Sequence, residues 1–511
     1  FYFNNLRDHL RNFVKAEEKD ISELDLVFGK KNSAFRKSWI ENYNQQDVIN
    51  YEAIKQLTIF DFLHKDMIHF SMMALKRGVP HISDGMTPAA RKCVWVFLQR
   101  NIIKDTKVCT AQSWVDADSN YHHAPDSLGK TIVRLSQNFT GKQNINLFLP
   151  IGQFGTRLDG GQSPASSRYL FTRLSPITRF IFRKEDDAIL EQQIDEGNVI
   201  EPVCLEPIIP LILANGANSV APGYKCVIGT YKPEDLIQKV KNKLLVKPDS
   251  TPLSPWYHKF QGVITTTDDS GNFQSEGICI KKSDKEWHIT ELPLGKWREP
   301  FKEQLTKMVS DNEITEFVEQ HRDENVCFEV KLNNELKTDP IKYFKLKKPF
   351  SSQLNLFSHE NKIASFKSIT EIFDIWFDHR LNLYEKRRKS ILQSLQNSLP
   401  FLVIKAEFIR LVLENRLPLG KKKDVITRVL LDNKIDLIFH ERLLKMNLAS
   451  FTEERIQVIN SELLNRKKEI EYYDKVDPKE LWLRDLADLE TELVKFWSER
   501  ISFSKDIKVI K

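Results

Sequence analysis

Between Lys76 and Lys184 the sequence contains no glutamate, although the chain as a whole carries 70 acidic residues against 76 basic ones. In residues 76–184, sixteen Lys and Arg stand against six Asp, a net +10. The 511-residue chain totals only +6, so the remainder sums to −4. Positive charge focused in this way suits a phosphate backbone, because each neutralised phosphate releases condensed counterions. The alternative is a solvated basic face. Other absences narrow the class. No apolar run approaches the ~20 residues of a membrane span, so a soluble chain without a membrane partner is expected. The six cysteines (Cys93, Cys109, Cys204, Cys226, Cys279, Cys327) form no C-x-x-C and no zinc-type spacing with histidine. A disulfide framework and a structural zinc are therefore not expected, and a reducing compartment is. No G-x-x-x-x-G-K-[ST] loop is present. The first residue is Phe1 and no signal-peptide pattern follows, so a piece of a longer polypeptide is expected.

What is present is organised. Residues 1–50 read as helical and charged, with "FGKKNSAFRKSWIENY" as an exposed connection. In "TPAARKCVWVFLQRN", Thr87 is placed as N-cap and Pro88 at the first helical position. Ala90, Cys93, Val94 and Phe97 then form a buried i, i+3, i+4, i+7 stripe, which leaves Arg91 and Lys92 to face a ligand. A second helix from Asp126 buries Leu128, Ile132, Leu135 and Phe139 and presents Lys130 and Arg134 on another face. Two such helices before a glycine-rich segment are compatible with a helix-turn-helix or winged-helix module. Residues 196–365 alternate in strand fashion and read as a mixed α/β domain. Ser368 and Glu371 suit a capping box before a long helix that Pro400 interrupts. A second helix with Ile456, Ile459, Leu463 and Ile470 near heptad spacing completes a candidate antiparallel coiled-coil arm with a small helical tip; a plain bundle is the alternative.

One short stretch concentrates the chemistry. "IGQFGTRLDGGQSPASSRYLFTRLSP" (151–176) sets four glycines and several small residues before Arg168-Tyr169. Tyr169 is either a packed aromatic or a phenolic nucleophile for a phosphodiester. A phenol with a pKa of ~10 needs cations nearby to react, and Arg168 is adjacent. Glycine and serine neighbours would let a DNA backbone come close. His122 and His123, in "YHHAPDS", can donate to a phosphate oxygen or act as acids. Arg91 offers a fork of donors suited to phosphate. Glu185, Asp186 and Asp187 read as a solvated turn rather than a magnesium site, and no metal ligands are assigned.

The stretch "LSQNFTGKQNINLFLPIGQFGTRLDGGQSPASSRYLFTRLSPITRFIF" closely resembles the active-site region of eukaryotic-type type IIA DNA topoisomerases. "ISDGMTPAARKCVW", "YHHAPDSL", "IIPLILANGANSV" and "SPWYHKFQG" resemble further segments of that family in the same order, from about Phe28 to the C-terminus. The Lys-, Asn- and Ile-rich divergence points to a large-DNA-virus relative.

The resemblance implies a multidomain α+β fold. Its parts would be a linker (1–50) after an absent metal-binding TOPRIM domain, a winged-helix DNA-cleavage domain (51–195), a mixed α/β tower domain (196–365), and a long antiparallel coiled-coil arm with a helical C-gate tip (366–511). Tyr169 would form a 5′-phosphotyrosyl link, with Arg168, Arg91 and His122 steadying the scissile phosphate. Lys92, His123, Lys130, Arg134, Arg157 and Val220 would contact double-stranded DNA, Val220 standing where the family inserts an isoleucine flanked by glycines. The "TPAARK" segment keeps Arg91 and Lys92 but lacks the glutamine the family places there. Mg2+ and ATP are implied as cofactors of domains absent from this chain, and a homodimer as the working unit. Such an enzyme would act in the nucleus or, if viral, in the host cytoplasm. The rival from another class is a non-catalytic architectural DNA-binding dimer.

Overall fold

Three short helices carry the basic segment. In α1 (Pro88–Gln99), Thr87 takes the N-cap position with Pro88 next, although the Thr87 hydroxyl makes no capping bond. Ala90, Cys93, Val94 and Phe97 are all buried, so the apolar stripe faces the core as its spacing dictates. After α2 (Val108–Asp118), α3 (Asp126–Ser136) buries Leu128, Ile132 and Leu135, with Phe139 just beyond its end. Lys130 and Arg134, one turn apart on α3, are exposed.

This computed structural model describes residues 12–248, 253–266, 268–322, 325–417, 423–447 and 451–506. It is a mixed α/β chain that divides into two compact units, residues 1–183, 190–379 and 486–511 in the first and 184–189 and 380–485 in the second.

In the first unit, the stretch read as an exposed connection folds instead. Ser33–Glu41 is helical and, while Phe35 stays exposed, buries Trp39 and Ile40 against Val27, Leu63, Met72 and Leu75. A hairpin pairs β1 (Ala217–Ala221) with β2 (Tyr224–Ile228) in antiparallel register, Val220 opposite Lys225. Gly216 enters it at φ +65, where a Cβ would lie 2.5 Å from the Ile228 carbonyl oxygen, so only glycine fits. Further on, β3 (Ile278–Lys281), β4 (Glu286–Glu291), β5 (Ile314–Glu319) and β6 (Phe328–Leu332) form an antiparallel sheet in the order β3-β4-β6-β5. Strand alternation turns Trp287, Ile289, Phe328 and Val330 inward. There they pack with Phe301, Leu305 and Met308 of α4 (Arg298–Ser310).

Most of α5 (Ile369–Leu413) lies in the second unit, and Pro400 does not end it. One missing N–H removes a single backbone bond, and packing on both sides keeps the axis helical. At its start the Glu371 N–H donates to Ser368 Oγ at 3.0 Å, while the Glu371 carboxylate accepts from the Lys367 N–H rather than that of Ser368. Ala406 and Ile409 of α5 pack on Ile459 of α6 (Glu453–Lys475), with Ile456 and Leu463 alongside. A core of Phe408, Leu411, Leu430 and Leu443 joins α5 to two short helices, Lys423–Asp432 and Leu437–Leu444. The last helix, α7 (Pro478–Asp506), contributes its first residues, to Asp485, to this unit and the remainder to the first. No helix among the described residues is long and apolar enough to cross a membrane.

Candidate nucleic-acid interface

Tyr169 sits on a turn fixed almost entirely by backbone hydrogen bonds. Its N–H donates to Ser166 O at 2.8 Å, Val108 N–H to Leu170 O at 2.9 Å, and Cys109 N–H to Ser167 O at 3.3 Å. The start of α2 therefore grips the residues on either side of the tyrosine. Leu170 is fully buried while Tyr169 is 64% exposed, so the buried leucine pins the turn and the phenol projects outward. The Arg168 guanidinium lies over the Tyr169 ring at 4.9 Å, a cation–π pair. Among the described residues no acidic side chain pairs with Arg168, Lys130 or Arg134, and all three are exposed.

Three of the four glycines before this turn pack inward, while Gly152 is exposed. Gly155 and Gly161 touch backbone to backbone, with a Cβ on Gly155 2.7 Å from Gly161 Cα. A Cβ on Gly160 would lie 2.3 Å from the Trp297 indole, and one on Gly161 2.5 Å from the Gln137 amide. All three have φ between +71 and +93. Gln137 Nε2 donates to Phe154 O and Gly161 O at 2.8 and 2.9 Å. Glu299 N–H, at the start of α4, donates to Leu158 O at 3.0 Å. The expectation that the glycines open room for DNA is thus corrected for Gly155, Gly160 and Gly161, which let the loop close on Trp297, Gln137 and itself. Small residues that do reach the surface near Tyr169 are Gly152, where a Cβ would lie 3.7 Å from Tyr169 O, Ser163 and Ser166.

Several expected contacts are redirected. Arg91 does not face solvent. It is 5% exposed, with Nε 2.6 Å and an η-nitrogen 3.1 Å from the two oxygens of buried Asp84. Asp84 also accepts from Leu205 N–H at 2.9 Å. Lys92 donates to Ser119 O at 2.6 Å and to buried Glu201 at 2.9 Å. Arg157 is 6% exposed and ion-paired to Glu291. Arg91 answers a carboxylate seven residues before it, whereas Lys92 and Arg157 answer Glu201 and Glu291, which come from outside the glutamate-free segment. That segment presents less free positive charge than its +10 suggests. His122 Nε2 lies 2.7 Å from Asp195 Oδ2, with its ring largely exposed. His123 is exposed, and partial desolvation, then Arg77 and His122, hold its pKa below 6.5. Val220 is 73% exposed near the tip of the β1–β2 hairpin.

The acidic run is a solvated turn only in part, since Glu185 is exposed but Asp186 is not. Asp186 is 3% exposed and accepts from Arg380 at 2.6 Å within the second unit. Burial alone would push its carboxyl pKa up, while the two facing arginines, Arg380 and Arg387, pull against that.

Residues that sequence reasoning missed are mostly supports. Trp297 backs Gly160 and Gly141, Asp84 holds Arg91, and Asp195 meets His122. Asn144 donates to the carbonyls of Ala214, Tyr231 and Trp256 and accepts from His258 N–H, tying the segment before the glycine loop to the one before the hairpin. The one available signal was the clustered glycines, which required bulky partners somewhere.

Comparison with known proteins places these observations. The family model for DNA gyrase/topoisomerase IV matches residues 77–487, and the C-terminal associated domain of TOPRIM matches residues 1–75. The chain is 33% identical over 512 residues to a protein named "DNA topoisomerase 2, mitochondrial" from Dictyostelium discoideum, covering 97% of this chain and 40% of that protein. It is 32% identical to DNA topoisomerase 2 of Arabidopsis thaliana, over 97% of this chain and 37% of the relative. It is also 32% identical to DNA topoisomerase 2 of Invertebrate iridescent virus 6, over 89% and 41%. The chain thus spans about two fifths of the length of these relatives. Among solved structures, the DNA-binding, cleavage and re-ligation domain of Plasmodium falciparum topoisomerase II superposes with a TM-score of 0.86 at 29% identity, covering 99% of this chain and 73% of that one.

Proposed function

The chain belongs to the DNA gyrase/topoisomerase IV family, and from that premise we propose that it forms the DNA-gate and exit-gate region of an ATP-dependent type IIA DNA topoisomerase. The observation that carries this reading is Tyr169: an exposed phenol on a rigid turn, with an arginine over its ring and, among the described residues, no carboxylate to neutralise that arginine. Tyr169 Oη attacks a DNA phosphorus, the P–Oη bond forms as the P–O3′ bond breaks, and the phenolic proton is given up as the 3′ hydroxyl leaves. One ester replaces another, so resealing needs no new energy source. Arg168 offsets the charge that develops on the phosphate. Arg91, locked to Asp84, orders the start of α1, and His122 is oriented by Asp195 toward the same surface. Lys130 and Arg134 supply backbone contacts, and Val220 is the apolar wedge that bends the duplex.

In this reading α1 to α3 belong to a winged-helix cleavage domain, residues 196–365 to a tower, and α5 and α6 to a coiled-coil arm ending in the exit gate of a homodimer. Magnesium takes oxygen ligands. Among the described residues the His/Cys/Asp/Glu group close enough to share an ion includes an imidazole, and Asp186 is enclosed by Arg380. These residues do not fit a magnesium site, so no step is routed through one; Mg2+ and ATP are assigned to parts of the enzyme outside this chain's matched length. The test traps protein on duplex DNA with detergent, using the intact polypeptide with magnesium. Wild type is expected to trap covalently and Tyr169→Phe to trap none. Equal trapping overturns the nucleophile assignment, and binding without any trapping by wild type favours the architectural reading.

A further inference from the structure

The outer face of the four-stranded sheet carries one polar rung set between apolar residues. Across β3, β4, β6 and β5, backbone pairing aligns Ile280, His288, Glu329 and Val318 in a row. Glu286 stands two residues before His288 on β4 and so projects from the same face. The ligand atoms of Glu286, His288 and Glu329 all lie within 4.8 Å of one another. His288 Nε2 is 3.3 Å from Glu286 Oε1 and 3.8 Å from Glu329 Oε1.

The His288–Glu286 contact is a hydrogen bond, longer than the about 2.7–2.9 Å of a charge-assisted one, and the His288–Glu329 separation is longer still. They approach the edge of a coordination tetrahedron: metal–ligand bonds of about 2.0–2.1 Å place ligand atoms about 3.3–3.4 Å apart. Charge points the same way. Two carboxylates converge on one imidazole, and among the described residues no Lys or Arg forms an ion pair with either of them. Lys331, which feels the charge of both carboxylates, is itself drawn away to Glu316 at 2.6 Å. The three side chains are 20–39% exposed, partly removed from water yet reachable. Ile280 and Val318, both partly exposed, flank the rung on its two sides.

We propose that Glu286, His288 and Glu329 form a zinc site that joins the two central strands of this sheet. One imidazole and two carboxylates suit Zn2+, with the fourth position left to water, whereas Mg2+ disfavours the imidazole. Two ligands come from alternate residues of one strand and the third from its hydrogen-bonded neighbour, so the backbone ladder presets the geometry. The site is independent of the DNA-gate reading, because none of its residues belongs to that surface.

The test uses the full chain dialysed against buffered micromolar Zn2+, with bound metal measured by elemental analysis. Wild type is expected to retain one zinc per chain. His288→Ala and Glu329→Gln are each expected to lose it or bind at least tenfold more weakly, while keeping the wild-type circular dichroism spectrum. Zinc should raise the melting temperature of wild type and not of His288→Ala, and Co2+ in its place should give the intense visible bands of a tetrahedral ion. Absence of zinc from wild type overturns the proposal and leaves the triad as an ion pair only. Equal zinc retention by both variants also overturns it, because the metal would then sit elsewhere. If a variant fails to fold, Glu286→Gln, at the more exposed carboxylate, provides the same reading.

Discussion

At the scale of single residues, this chain shows how poorly residue type alone predicts exposure. Arg91 and Arg157 carry the donor fork that phosphate recognition uses, yet each is buried against a carboxylate. Breaking such a pair from one side leaves an uncompensated buried charge, which typically costs about 3–5 kcal/mol. Arg91→Ala should therefore lower unfolding free energy by about that amount in urea titrations, independent of DNA; a loss below about 1 kcal/mol would show that Asp84 is not stranded. Gly160 gives a second prediction. A Cβ there would meet the Trp297 indole at 2.3 Å, with φ at +71. Left-handed backbone and overpacking together put the cost of Gly160→Ala at roughly 2–4 kcal/mol. Adding Trp297→Leu should return part of the lost melting temperature, because the clash is with the ring.

At the scale of elements, the periodic segments were the most legible. The stripes of α1 and α3 bury the expected residues, since a 3.6-residue period specifies a face without help from distant chain. Pro400 and "FGKKNSAFRKSWIENY" misled for the same reason in reverse: packing against partners far off in sequence decided them. The β1–β2 hairpin carries an element-scale prediction. Val220 is 73% exposed, so Val220→Ser should leave melting almost unchanged, as exposed substitutions do, within about 0.5 kcal/mol. If Val220 is the wedge, the same variant should bend duplex DNA less, read as a longer end-to-end distance by energy transfer between dyes. Unaltered bending would remove Val220 from the interface.

At the scale of the whole molecule, half-buried histidines set an acid limit. Burial, then the His379 ring stacked on it at 3.6 Å, lowers the His359 pKa from 6.5 to about 4; Ser83 Oγ lies 3.1 Å from its Nδ1, and Glu206 and His81 are the other ionisable groups acting on it. His258 is lowered to about 3 by burial, then by Arg500 and Lys259. Between pH 6.5 and 4 the unfolded chain therefore binds more protons than the folded one, so stability is full above pH 6.5 and falls with acidification. Melting temperature should drop from about pH 7.5 to about pH 5, and His359→Gln should flatten that drop; an unchanged slope would assign it to other groups. The sequence by itself determined the family and the amphipathic helices, because local spacing and contiguous motifs carry that information; that Tyr169 is exposed rather than packed was decided by the structure. Only the tertiary structure decided which cations remain free, what the glycines pack against, and that Glu286, His288 and Glu329 share one rung. Apart from the Asp84 that holds Arg91, seven residues before it, each of those depends on a carboxylate, an indole or a strand brought in from elsewhere in the chain.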